Sequence, residues 1–131
     1  MEDSIFTKII KGEIPAHKIY EDDKVIAFLT VNPVADGHTL VVPKEQVDAI
    51  WDLNSEIYAY LWEVTQAIAR HIQGAMKVDR VGVVVKGFEV PHAHIHLIPV
   101  NKGSGLSFDP HPSPPRADDE HLRLLAEKLR F

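Results

Sequence analysis

The sequence predicts an α+β domain, and three observations carry this. Five short runs rich in β-branched and aromatic residues are bounded by Gly, Pro, Asn or Asp. One long segment, residues 55–73, places its apolar side chains at helical spacing. Shorter helical segments stand near either end of the chain.

The elements follow in order. Ser4 caps a short helix that runs through Lys11 and turns Ile5, Phe6, Ile9 and Ile10 inward, and Gly12 stops it. Lys18–Glu21 and Val25–Leu29 read as two strands joined across Asp22-Asp23-Lys24, a hairpin signal. Asn32-Pro33 and Asp36-Gly37 mark a loop, and Gly37 allows close backbone approach. Thr39–Pro43 is a third strand. Asn54 or Ser55 caps the long helix, which stops near Gly74. Ile57, Leu61, Val64, Ile68 and Ile72 form one helical face, with Tyr58, Trp62 and Ala69 on a neighbouring stripe. That apolar surface is wider than contact with one sheet face requires. Val81–Val85 is a fourth strand and His92–Val100 a fifth. Residues 101–116, with Gly103, Gly105 and the run Asp109–Pro115, read as a loop. A last helix from about Asp118 presents Leu122, Leu125 and Leu129, a stripe suited to surface packing.

Composition narrows the function. The chain of 131 residues has the length of one domain, 1–131. It contains no cysteine, which excludes disulfides, thiolate zinc sites and a cysteine nucleophile. A net charge of −5 argues against binding long nucleic acid, though not against a small anion in a local pocket. The acidic start, Met1-Glu2-Asp3, is unlike a signal peptide, and no apolar run is long enough to span a membrane. The expectation is a cytoplasmic protein with no membrane partner.

The chemistry concentrates on the fifth strand. His92, His94 and His96 alternate with Ala93, Ile95 and Leu97. Strand side chains alternate between faces, so three imidazoles share one face at a spacing of roughly 6.7 Å. The three apolar residues take the other face and can pack on the long helix. Neighbouring imidazoles repel one another when charged, which favours neutral rings. A neutral imidazole can attack phosphorus, while its neighbours donate hydrogen bonds to phosphate oxygens or to a leaving group. His94 is the middle ring, so a phosphate centred on it has a supporting histidine on each side. Two other readings stand beside this one: three metal ligands, or a structural histidine stripe. His38 enters the third strand and can reach the same surface, although a lone histidine at a strand end carries little weight.

The stretch His92-Ala93-His94-Ile95-His96-Leu97-Ile98 resembles the signature of the histidine triad (HIT) family. Ile5-Phe6-Thr7-Lys8-Ile9-Ile10-Lys11-Gly12-Glu13-Ile14-Pro15 is similar to the opening of its HINT-type branch. Tyr20–Asp23, Ala27-Phe28-Leu29, Asn32-Pro33 and Gly37–Lys44 extend the resemblance, which covers about residues 4–100. It implies a five-stranded antiparallel sheet packed on the long helix, with that core in residues 4–100 and a C-terminal loop and helix beyond. It implies a homodimer paired through the long helix and a sheet edge. It also implies binding of a purine nucleotide, AMP- or GMP-like, and hydrolysis or transfer of nucleotidyl groups from phosphoramidates or related substrates. By position, His94 is the nucleophile. The His92 carbonyl orients it, and His96 and His38 stand around the phosphate and leaving group. Phe6, Ile9, Ile14 and Phe28 match the base pocket, with Thr30, Asn32, Lys86 and Glu89 completing the nucleotide site.

Several positions depart from the family pattern. Thr30 replaces the carboxylate or amide that grips the ribose. Gly87-Phe88-Glu89 replaces Gly-Gln-Ser/Thr before the triad, and a carboxylate at Glu89 opposes a phosphate. Gln46 stands where some members place a zinc-binding histidine, so no structural zinc and no cofactor are expected. The resemblance leaves two other readings: a nucleotide-binding module with little or no turnover, and a histidine-ligated metalloprotein.

Overall fold

Ser4 closes the first turn of α1 (Ile5–Ile10), its Oγ accepting from the Thr7 N–H at 3.0 Å. This is the satisfied-donor arrangement expected of an N-cap. The computed structural model describes residues 2–108, 110 and 112–131; Asp109 and His111, in the proline-rich run expected to be loop, lie outside the described residues. Phe6 and Ile9 are the buried residues of α1. Ile5, expected inward, is 49% exposed, because a six-residue helix lying on a sheet buries only the stripe that faces it.

β1 (Lys18–Glu21), β2 (Val25–Leu29), β3 (Thr39–Pro43), β4 (Arg80–Val84) and β5 (Ile95–Val100) form one antiparallel sheet in the order β1-β2-β3-β5-β4. Gly37 leads into β3 with φ 88°, and a β-carbon there would lie 3.0 Å from Pro99 Cγ. The close approach expected at this glycine is therefore a property of the fold.

α2 (Ser55–Met76) is capped by Asn54, whose side chain accepts from the Ile57 N–H. The helix runs two residues past Gly74 and ends at Lys77 in the left-handed region, where the Lys77 N–H donates to Gln73 O. Leu61, Val64, Thr65, Ile68 and Ile72 are its buried stripe. They meet Val25, Ala27, Leu29, Val41, Ala93, Ile95 and Leu97 on one face of the sheet. α3 (Asp119–Leu129) joins the same core. Leu122, Ala126 and Leu129 are each 1% exposed or less, and the helix packs on α2, β1 and β2. The expected surface helix is thus a core element, with Ala126 taking the inner position and Leu125 only partly buried.

The opposite face carries a smaller cluster of Phe6, Ile9, Ile26, Phe28, Leu40 and Val42. β2 and β3 are consequently buried on both faces. Two strand boundaries differ from expectation. β4 lies one residue earlier, and β5 begins at Ile95 rather than His92. Before Ile95 the backbone bonds elsewhere: His92 N–H donates to Val90 O, and Ala93 N–H donates to Val47 O at 2.7 Å. No helix is long and apolar enough to cross a membrane among the described residues.

Candidate active site

The histidines gather because β3 and β5 pair side by side. Leu40 stands opposite His96, which places His38, at the mouth of β3, against the His96 ring. His94 and His96 have ring centroids 5.0 Å apart, and His38 lies 5.2 Å from His96. The Phe6 edge meets His94 at 4.9 Å and Phe28 at 5.6 Å. These groups line a cavity of about 510 Å³ on the sheet face opposite α2.

Hydrogen-bond partners fix the proton on each ring. A carbonyl can only accept, so the contact between His94 Nδ1 and His92 O, 2.7 Å, puts the His94 proton on Nδ1. The lone pair of His94 is then on Nε2. His92 donates from Nε2 to Pro43 O and accepts on Nδ1 from the Ser4 hydroxyl, both at 2.7 Å. His38 accepts on Nδ1 from the Val34 N–H at 3.0 Å, so its proton is on Nε2 and is donated to His96 Nδ1, also at 3.0 Å. The His96 proton must therefore sit on Nε2, which has no protein partner among the described residues. Two adjacent rings thus carry opposite tautomers: His94 offers a lone pair at Nε2, and His96 offers an N–H at the same atom.

Burial enforces neutrality. His38, His92 and His94 are 4%, 0% and 3% exposed. Desolvation, with repulsion from His96 added, pushes His38 down to about 3. Desolvation and the neighbouring His94 push His96 down to about 4. His92 and His94 are lowered by burial as well, partly offset by their bonds to the carbonyls of Pro43 and His92. All four rings are neutral near pH 7.

The cavity wall includes His38, His94, His96 and every residue expected for the nucleotide: Phe6, Ile9, Ile14, Phe28, Thr30, Asn32, Lys86 and Glu89. His92 is not in the wall; it lies beneath it, locked between Ser4 and Pro43. Thr30 Oγ1 accepts from the Asn32 N–H at 3.2 Å, and the Asn32 side-chain amide donates to Pro114 O at 3.1 Å. Lys86 and Glu89 form an ion pair at 3.2 Å, while Phe88 is 90% exposed. Gln46 ties the N-terminus down: its Oε1 accepts from Ser4 N–H and from the Thr7 hydroxyl. Among the described residues no group of three or more His, Asp or Glu side chains is placed to hold a metal ion.

Sequence reasoning missed the contribution of the C-terminal stretch. Phe108, Pro110, Ser113, Pro114 and Arg116 line the same cavity. A phenylalanine isolated in a polar, proline-rich run was the available signal. The Ser4–Thr7–Gln46 support beneath His92 was missed too, because it depends on contacts over some forty to ninety positions.

Comparison with known proteins gives one family. The HIT domain family model matches residues 11–103. An uncharacterized HIT-like protein of Borreliella burgdorferi is 38% identical over 115 residues, covering 82% of this chain and 83% of the relative. The adenosine 5′-monophosphoramidase of Saccharomyces cerevisiae is 37% identical over 108 residues, covering 78% of this chain and 66% of that enzyme. The crystal structure of a HIT-like protein from Bartonella henselae superposes with a TM-score of 0.87 at 34% identity, covering 99% of this chain and 98% of the other. With its histidine signature, its sheet and helix arrangement and these matches, the chain belongs to the HIT domain family.

Proposed function

We propose that the protein binds purine nucleotides and hydrolyses nucleoside phosphoramidates or related nucleotidyl substrates through a covalent intermediate on His94. The observation that carries this is the tautomer pair: a lone pair on His94 Nε2 beside a hydrogen-bond donor on His96 Nε2. The similarity to a yeast phosphoramidase supports the same reading. In this mechanism His94 Nε2 attacks the α-phosphorus in line, the bond from phosphorus to the leaving nitrogen breaks, and the amine departs with a proton passed to it from His96 Nε2. The His92 carbonyl stabilises the charge left on the His94 ring through its bond to Nδ1–H. His96 donates to the phosphate or leaving group, and His38 holds His96 in the donating tautomer. Water then attacks phosphorus and returns a proton to His96 Nε2, the P–N bond breaks, and the lone pair returns to His94 Nε2. Phe6, Ile9, Ile14 and Phe28 offer the apolar end of the cavity to the base. A homodimer in the cytoplasm completes the proposal.

Adenosine phosphoramidate is the first substrate to assay. Wild-type protein should release AMP, and His94→Ala should abolish turnover while retaining AMP binding. Rapid-quench mass analysis should reveal an adenylyl adduct on the wild type. Turnover unchanged by His94→Ala, or abolished by a chelator instead, would overturn the nucleophile.

A second reading has its own support. The Thr30 hydroxyl oxygen and the Asn32 amide already have protein partners, and Glu89 places a carboxylate at the cavity. These features suit a binding module with little turnover, and the same assay separates the two.

A further inference from the structure

The far wall of the cavity is located by strand register. In the β4–β5 ladder Val84 stands opposite His96, and Gly82 stands opposite Ile98. Opposed residues of an antiparallel pair share a face, and every second residue returns to it. Gly82 therefore lies on the histidine face, one strand across from β5 and two residues along β4 from Val84. A β-carbon built on Gly82 would fall 2.3 Å from Phe108 Cε2 and 2.4 Å from Cζ. The ring fills the notch that the absent side chain leaves. Gly82 is outside the left-handed backbone region, so a side chain there would meet the end of the Phe108 ring rather than strain the backbone, and the ring would have to move aside.

Phe108 also lines the cavity that His94 and His96 share. The sheet order sets Phe28 on β2 toward one end and Gly82 on edge strand β4 at the other, with β5 and its histidines between. Phe6 and Phe28 enclose the first end, where the base is placed. With phosphorus at His94, the leaving group is left the side beside His96 and toward β4, and Phe108 stands across that side.

We propose that Phe108, seated on Gly82, is a specificity-determining residue that admits ammonia or a small amine as leaving group and hinders a bulky one. The proposal rests on the hydrolase reading above. Selection by size is a difference between two transition states, so it is read from a ratio of kcat/KM values.

Adenosine phosphoramidate and its N-benzyl derivative share the nucleotidyl group and differ only in the leaving amine. Wild-type protein should favour the unsubstituted compound by about tenfold or more. Phe108→Ala removes the wall, and Gly82→Ala unseats the ring without removing it. Each should move the ratio toward the N-benzyl compound by about tenfold, and the double variant should move it little further, because both act through one contact. A ratio unchanged within about twofold in both single variants, or a wild type without preference, would overturn the proposal. Both compounds are also titrated calorimetrically into each variant. Absence of turnover throughout would sink the hydrolase reading, while the ratio of dissociation constants would still report, for or against, on size selection at Phe108.

Discussion

Ser4 joins backbone structure to chemistry within one side chain. Its hydroxyl oxygen accepts the Thr7 N–H at the start of α1, and its proton goes to the buried Nδ1 of His92. Ser4→Ala removes the helix cap and leaves a buried acceptor unsatisfied, a loss of about 2–3 kcal/mol measurable as a lower urea midpoint. His92 in turn presents its carbonyl to His94, so the same variant should also reduce kcat. The histidines set the acid limit of the protein. All four have folded-state pKa values below the ordinary 6.5, with His38 near 3 and His96 near 4. The unfolded chain therefore takes up protons first as pH falls. Their contribution to stability is complete above about pH 6.5 and is lost as pH drops toward 4 and then 3. Urea midpoints at pH 7, 5.5 and 4.5 should fall in that order. Activity should persist below pH 6.5, because His94 stays neutral there; an acid limb centred at 6.5 or above would contradict the burial seen at this site. The alternation of His92, His94 and His96 was legible because strand geometry is local. Their protonation was not, because each proton is fixed by a particular partner — Pro43 and Ser4 for His92, the His92 carbonyl for His94, Val34 for His38 and His38 for His96 — that only the folded backbone brings into place.

At the level of elements, what was readable depended on how local the determinant is. β1, β2 and β3 coincide with the expected segments because apolar runs between turn residues define them. The expected β5 is three residues longer than the strand, since the chain bends at His92, whose N–H donates back to Val90 O, and Ala93 N–H bonds Val47 O outside the ladder. The long helix overshot Gly74 because a glycine in a helix is a modest cost, whereas Lys77 supplies the left-handed cap. α3 was underrated for another reason: its spacing shows an apolar stripe but not what covers it. The stripe docks on α2 and on β1 and β2, so Leu122→Ala should cost about 2–4 kcal/mol. Leu124, 52% exposed on the opposite side, should tolerate glutamate within about 0.5 kcal/mol. Denaturation of the two variants in parallel tests the assignment, and equal midpoints would show that α3 is peripheral after all. The C-terminal stretch was the least legible, since without regular structure it carries no period, yet it contributes Phe108, Pro114 and Arg116 to the cavity.

Across the whole molecule, the two faces of the sheet have separate duties. One buries the core under α2 and α3, and the other carries the histidines and the cavity. That division leaves an apolar surface outside both. Tyr58 and Trp62 on α2 are only partly covered, Trp51 beside them is 77% exposed, and Trp62 Nε1 lacks a partner among the described residues. On the same chain β4 is an edge strand, with Val83 48% exposed and Val85, just past its end, 39% exposed. An open edge beside exposed apolar side chains is a template for pairing with another chain. A two-fold partner would cover the helix stripe and the edge together, because a symmetric interface presents the same patch from both subunits. The expected species is therefore a homodimer. Sedimentation at micromolar concentration should give about twice the 14.7 kDa chain mass, and a single 14.7 kDa species would exclude the dimer. Trp62→Glu places a charge in the stripe and should shift the equilibrium to monomer, while a charge at exposed Leu124 should leave it dimeric. If both variants sediment alike as dimers, the contact lies elsewhere and the α2 stripe is not the interface.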